Sequence, residues 1–314
     1  MQSLTLARNA MATRFELVLR GSNPISLRAA GEEALDEITS VEAQLSVYRS
    51  SSEIARVNSH AAEKPVRVSA PVFALLQQAL KLTAETQGTF DVSVGPLLQC
   101  WGFREGAARI PTVEELETAR AAVGMQNVRL DPEISSVSFA RPGVGLDLGA
   151  IGKGYALDRA ASLLREAGVT SALLHGGTST VIGIGTAGDG FPWKIAVDLV
   201  PPETPPGAER PPPVLVKLRD QALSVSAVWG KSFRIGNRLF GHVIDPRSGY
   251  PVAAGLLAAV VSATGAESDA LSTALLAWGT AGHDRLFQLR PGLQTLYCRG
   301  SNGEDAGAVE TRGL

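Results

Sequence analysis

Four short blocks of this chain combine residue types that do chemistry. The first is LDLGAIGKGYALD, residues 146–158. Its glycines precede a helix expected from Lys153 onward. Backbone N–H groups and the positive helix end could there meet a phosphate, with Lys153 adding charge. A P-loop would need glycine where Asp147 stands and Ser or Thr where Gly154 stands, and GAIGKG is not the GxGxxG of a dinucleotide fold. The competing reading is a tight loop that uses glycine for positive φ. The second block, HGGTST at 175–180, follows an apolar strand. Its paired glycines let a ligand approach the main chain, or simply turn it.

The third block, HVIDPRSGYP at 242–251, carries a strong turn signal in Asp-Pro-Arg-Ser-Gly. His242 falls at the end of an expected strand, at a sheet rim. It is one of only four histidines and suits acid–base work, or a structural role. The fourth block is SATGAESDALSTALLAWG, residues 262–279. Asp269 and Thr273 are four apart on an expected helix and share one face. A carboxylate and a hydroxyl are hard oxygen ligands that suit Mg²⁺, which completes its octahedron with water, backbone oxygen and phosphate. Alternatively Asp269 answers the helix dipole and Thr273 only packs.

Alternation at Phe15, Leu17 and Leu19 predicts an early strand. A helix should run from Pro24 toward Ser46 with Leu27, Ala30, Ala34, Leu35 and Ile38 on one face. A second should be capped by Ser69, with Pro71 in its first turn and Gly88 at its end. Thr112 and Glu115 form a capping-box pattern. NVRL and SVSFA read as strands around Asp131-Pro132, and Lys153–Gly168 as an amphipathic helix. TSALLH, STVIGIG and WKIAVDL read as strands. The segment 201–213 holds seven of the 18 prolines and predicts an exposed loop or insertion. A hairpin turning at Gly236-Asn237, a buried strand GLLAAVVSAT, a helix from about Ala266 to Trp278 and a last helix and strand follow. Residues 300–314 read as a flexible tail. The expected class is α+β with mixed β-sheets flanked by helices, the whole chain 1–314 forming one catalytic unit.

The chain has 314 residues, 45% of them apolar, with mean hydropathy +0.09. That is ample material for a core and excludes global disorder. With 29 basic against 31 acidic residues, it lacks the basic excess of a nucleic-acid-binding face. Cys100 and Cys298 are too few for a disulfide framework and are expected as buried free thiols. No apolar run predicts an integral membrane segment. The opening residues show no signal peptide, so the expectation is a cytoplasmic protein, or a periplasmic or membrane-associated one if a leader has been removed.

Taken together, SVYRSSSEIARVN, FDVSVGPLLQCWGF, LDLGAIGKGYALD, HGG, HVIDPRSGYPV and the Asp269/Thr273 helix resemble the FAD:protein FMN transferase (ApbE) family, from MATRFEL to SDALSTALLAWG. The resemblance implies a two-lobed α+β fold with FAD between the lobes. It implies Mg²⁺-dependent cleavage of the FAD pyrophosphate. FMN then goes by a phosphoester bond to a Thr or Ser of an acceptor flavoprotein carrying a flavinylation motif, and AMP leaves.

By the same resemblance Asp269 and Thr273 match the metal-binding side chains, with a main-chain carbonyl near Ala150–Gly152 as backbone ligand. Asp269 and His242 are the implied catalytic residues, His242 as base. Tyr48 matches the aromatic against the flavin, and Glu53 and Asn58 belong to its block. Lys153, Gly176, Gly177, Ser226 and Asp245 fall in nucleotide-holding blocks. The sequence departs from the family pattern at Met11-Ala12-Thr13 (usually MGT), at Thr178 (commonly Asp) and at Ser226-Ala227-Val228-Trp229 (often Ser-Gly-aromatic). Alternative readings are an FAD pyrophosphatase giving FMN and AMP, and a non-catalytic flavin-binding protein.

Overall fold

The computed structural model describes residues 2–104, 108–200, 210–235, 238–253, 255–300 and 307–314. The α+β class holds. The chain folds as two compact units: residues 1–39, 153–229 and 254–314 form one, and residues 40–152 and 230–253 the other.

The first unit is built on an eight-stranded sheet. Its spatial order is Gln2–Ala10, Thr13–Gly21, Ser171–Gly176, Thr180–Ile184, Gln221–Ala227, Gly255–Ser262, Gln294–Arg299 and Val309–Arg312. Every neighbouring pair is antiparallel, where mixed sheets were expected. Gly255–Ser262 is buried along nearly its whole length, as an apolar run between two covered faces must be. Leu257, Ala259 and Val261 join a core with Trp193, Val216, Leu218 and Leu296. The Gly265–Trp278 helix packs against Gly255–Ser262 and Gln221–Ala227.

Two expectations change at the ends of this sheet. Residues 309–312, read as part of a flexible tail, pair with Gln294–Arg299 and form the edge strand. Residues 2–10, read as no element, form the other edge, where only Leu6 and Ala10 are buried and the alternation is faint. Of the proline-rich segment, only 210–213 lies among the described residues, and the expected turn at 236–237 lies outside them.

The first hairpin shows what one departure from the family pattern costs. Ala10 pairs with Thr13, so Met11 and Ala12 form a two-residue loop, and both have positive φ, 49° and 57°. Such a loop matches the sheet's twist but penalises any Cβ at these positions. Ala12→Gly should therefore raise stability by about 0.5 kcal/mol, the relief of left-handed strain minus the extra entropy of an unfolded glycine. Urea unfolding with an unchanged slope checks it.

The second unit contains the helices Glu53–His60, Ala70–Glu85, Gly95–Cys100 and Val113–Ala122, with a three-stranded sheet ordered Val66–Arg67, Ser136–Phe139, Val128–Asp131. The Thr112/Glu115 capping box forms with both of its bonds. Ser69 does sit at an N-cap but makes no side-chain cap bond. Trp101 is fully buried with Leu97, Leu116 and Ile244 around it, and Phe233 and Phe240 stack over this core at 5.2 Å. Cys100 is half-buried and Cys298 buried, and both are free thiols. Burial pushes both above the usual thiol range. Among the described residues no helix is long and apolar enough to cross a membrane.

Candidate functional site

Asp269 stands in the second turn of the Gly265–Trp278 helix and is only 3% exposed. One carboxylate oxygen accepts the Gly154 N–H at 3.2 Å. Gly154 belongs to the first turn of the Gly152–Glu166 helix, so this donor is one that the helix itself leaves unsatisfied. Burial raises the Asp269 pKa, and the charge of Lys153 and the Gly154 N–H only partly offset it. A buried carboxylate whose charge is under-compensated is a favourable place for a hard cation.

Hydroxyls surround the same face of the helix. Thr273 Oγ1 donates to the Asp269 main-chain oxygen at 3.2 Å, and Ser272 Oγ donates to the same oxygen at 2.9 Å. Each hydroxyl has one proton, so both keep their lone pairs for other partners. Ser226, on the adjoining strand, lies 2.8 Å from Ser272 Oγ and 3.1 Å from Thr273 Oγ1. One strand turn away, Ser224 and Ser268 repeat the pairing at 2.7 Å. Small hydroxyl residues let the helix sit close to the sheet and fix its rotation, which sets where Asp269 and Thr273 stand. Ser226, expected to touch the nucleotide, here touches the helix hydroxyls.

The close approach of the two helices needs glycine on both. A Cβ on Gly154 would lie 2.0 Å from the Gly265 main-chain oxygen, and one on Gly265 would lie 2.5 Å from that of Gly154. Backbone cannot swing aside as a side chain can. Gly154→Ala should cost about 1–3 kcal/mol or more of stability and move Asp269 off its N–H donor. Chemical denaturation and AMP release measured on one preparation check both effects.

The paired glycines of the HGG block also have steric reasons. Gly177 has φ +64°, and a Cβ there would lie 2.2 Å from Thr13 Oγ1. A Cβ on Gly176 would press on Phe15 at 3.1 Å and Leu157 at 3.3 Å. Beside this turn lies an open hollow of about 210 Å³ lined by Arg14, Glu16, His175 and Gly177. Burial lowers the His175 pKa against the opposing pull of Glu16.

The remaining expected residues belong to the second unit. Tyr48 is 57% exposed, and the Lys231 ammonium lies over its ring at 5.7 Å from the centroid. His242 follows the strand Arg238–Gly241 and is half-buried. Its Nδ1 lies 3.1 Å from the Lys231 main-chain oxygen. A carbonyl only accepts, so Nδ1 carries the proton and Nε2 is the basic nitrogen of the neutral ring. Gly230 leaves room for the ring, since a Cβ there would come within 2.9 Å of it. Lys231 thus touches His242 through its carbonyl and Tyr48 through its ammonium.

Three of the expected cofactor-binding residues, two from the Tyr48 block and one from a nucleotide block, make hydrogen bonds to the protein. The Glu53 carboxylate accepts the Ser69 N–H at 2.5 Å and its hydroxyl at 2.8 Å. Asn58 brackets Leu146, donating to its oxygen at 2.9 Å and accepting its N–H at 2.7 Å, which holds the start of the glycine loop. Asp245 is clamped by Arg247, whose Nε and Nη2 donate to it at 2.9 and 2.8 Å. Ala150 and Gly152 lie in a turn where the N–H groups of Ile151 and Gly152 donate to the Leu148 oxygen.

Among the described residues no group of three or more His, Cys, Asp and Glu side chains gathers to hold a metal. Any cation on Asp269 would take its other ligands from hydroxyl, main chain, water and phosphate, which is a magnesium-like set. The residues that sequence reasoning passed over are Asp158, Gly265, Ser272 and Lys231. Asp158 had a visible signal, its i+4 spacing from Gly154.

The ApbE family model matches residues 11–297. The chain is 30% identical over 258 residues to the FAD:protein FMN transferase of Vibrio cholerae, covering 81% of this chain and 74% of that protein. It is 31% identical over 264 residues to that of Haemophilus influenzae, covering 81% and 75%. Among solved structures, the ApbE protein from Thermotoga maritima superposes with a TM-score of 0.85 at 28% identity, covering 98% of this chain and 96% of that one. The flavin transferase ApbE from Vibrio cholerae gives 0.82 at 25% identity, covering 99% and 96%. A family match over nearly the whole length, two homologues at 30% identity or above and the shared fold agree: this chain belongs to the ApbE family.

Proposed function

We propose that this ApbE-family enzyme, an FAD:protein FMN transferase, cleaves the pyrophosphate of FAD and passes FMN to a Thr or Ser hydroxyl of an acceptor flavoprotein. The observation that carries the reading is the buried, under-compensated Asp269 carboxylate at a helix start that supplies Lys153, on the helix whose Thr273 hydroxyl donates to the Asp269 main-chain oxygen. Mg²⁺ held by Asp269 and Thr273 would supply charge neutralisation at the pyrophosphate. Lys153 adds fixed positive potential for the same phosphates.

The chain's own groups account for the remaining steps. Tyr48 offers a flat, exposed surface for the isoalloxazine ring. His242 Nε2 takes the proton of the acceptor hydroxyl. The hydroxyl oxygen bonds to the phosphorus of the FMN half, the bond from that phosphorus to the bridging oxygen breaks, and AMP carries that oxygen away.

The experiment is incubation with FAD, Mg²⁺ and a candidate acceptor, followed by intact-mass analysis. An FMN-sized gain on the acceptor, with AMP in solution, supports transfer. Free FMN with an unmodified acceptor would make the enzyme a pyrophosphatase. Bound FAD with neither product would make it a flavin-binding protein.

A further inference from the structure

We infer that Asp158 is a positioning residue for Asp269, holding the first turn of the Gly265–Trp278 helix in the placement where Asp269 receives the Gly154 N–H. The inference rests on the metal-site reading above and adds a residue to it. Asp158 Oδ1 accepts the Gly265 N–H at 2.6 Å, and Oδ2 accepts the Ala266 N–H at 2.8 Å. These are two of the donors that the helix start leaves unsatisfied, and a carboxylate there also answers the helix dipole.

The arrangement is reciprocal. Gly154 and Asp158 are four apart on the Gly152–Glu166 helix, so they present one face. That face gives the Gly154 N–H to Asp269 and takes the Gly265 and Ala266 N–H groups on Asp158. Each helix thus caps the start of the other with a carboxylate. Between them the Gly154 and Gly265 backbones are in direct contact. A shift of either helix start breaks bonds at both carboxylates together.

The Thr264 cap is a different kind of contact. Its Oγ1 accepts the Glu267 N–H at 3.3 Å within the same helix, a bond that links the helix only to its own cap residue. It supports the helix without fixing where the helix sits. Burial lifts Asp158 to about 6 against the pull of its two N–H donors, and the Asp269 charge adds to the lift.

The test uses the full chain, with Mn²⁺ alone as probe, read by loss of the free-ion EPR signal. Thermal unfolding is measured on the same samples. Outer-shell partners of a metal ligand typically govern affinity by 10–100-fold. Asp158→Ala should therefore weaken Mn²⁺ binding by about 10–100-fold. Asp158→Asn, which keeps one acceptor oxygen, should fall between Asp158→Ala and the unmodified chain. Thr264→Ala should lower the melting temperature while leaving Mn²⁺ affinity within about twofold, far below the outer-shell range.

Unchanged affinity in Asp158→Ala, or an equal loss in Thr264→Ala, would overturn the inference and leave Asp158 an ordinary cap. If Asp158→Ala does not fold, Asp158→Asn decides by the same twofold criterion. Asp269→Ala is the reference. If it binds Mn²⁺ as the unmodified chain does, the metal-site reading fails, and the role of Asp158 fails with it. If Asp269→Ala loses Mn²⁺ while both Asp158 variants keep it, only the inference fails.

Discussion

Replacing Asp269 by alanine is expected to abolish Mg²⁺-dependent release of AMP from FAD while the fold survives. The size of the effect follows from what the site would lose. A fixed charge aimed at developing negative charge in a dry site is worth at least about 10²–10³ in rate, and the variant also removes the anchor proposed for the cation. The structural cost is smaller. Asp269 is a buried carboxylate whose burial outweighs the help of Lys153 and the Gly154 N–H. Removing such a charge relieves a desolvation penalty and leaves one N–H without its acceptor. Asp269→Asn keeps the shape and an acceptor oxygen and should be at least as stable as the unmodified chain, yet nearly as inactive.

The pH dependence has a definite sign. The folded state holds the Asp269 proton to higher pH than the unfolded chain does, so this group withdraws stability as pH rises through the carboxylate range. Metal binds only the deprotonated form, so the Mg²⁺ concentration for half-maximal rate should rise as pH falls. AMP release followed by chromatography, with a melting curve for each variant, checks these outcomes. Full activity in Asp269→Ala would remove this residue from the mechanism.

Local signals were the readable part of this molecule. The Thr112/Glu115 box, the helix that carries Asp269 and Thr273 and the helix start at Lys153 each depend on residues within a turn of one another, and these elements form where the sequence placed them. What escaped depends on partners brought from far along the chain. Ser226 meets Thr273 across 47 positions, and Asn58 meets Leu146 across 88. Neither pairing leaves a mark on sequence spacing. Asp158 meets the Gly265–Trp278 helix across 107 positions, so its i+4 spacing from Gly154 was visible but its partner was not. The edge strand at 309–312 escaped for another reason. None of its residues is buried and only Glu310 is partly covered, so this edge strand needs no apolar pattern, and a polar run there resembles a loose tail.

The second large effect concerns His242. Alanine at this position should leave FAD binding intact and slow transfer to the acceptor by about 10²–10⁴-fold, the usual contribution of a general base. The Lys231 carbonyl holds the Nδ1 proton, so the neutral ring presents a basic Nε2 rather than a donor. The ring is also seated: the His242 main-chain N–H donates to the same carbonyl at 2.9 Å, and Gly230 leaves the ring space that a Cβ would fill. A side chain held at both its backbone and its ring loses little entropy when it accepts a proton in one geometry, which is how a positioned base outperforms water. The Lys231 that fixes the ring by its carbonyl also covers Tyr48 with its ammonium, so His242 and the exposed aromatic share one anchor. His242→Ala leaves that anchor and Tyr48 in place, which is why flavin affinity should hold. Equilibrium titration of FAD fluorescence reports affinity, and single-turnover intact-mass kinetics report transfer. Loss of the acidic limb of the pH–rate profile in the variant would mark the missing base. Transfer at the unmodified rate would mean that the acceptor hydroxyl gives up its proton elsewhere.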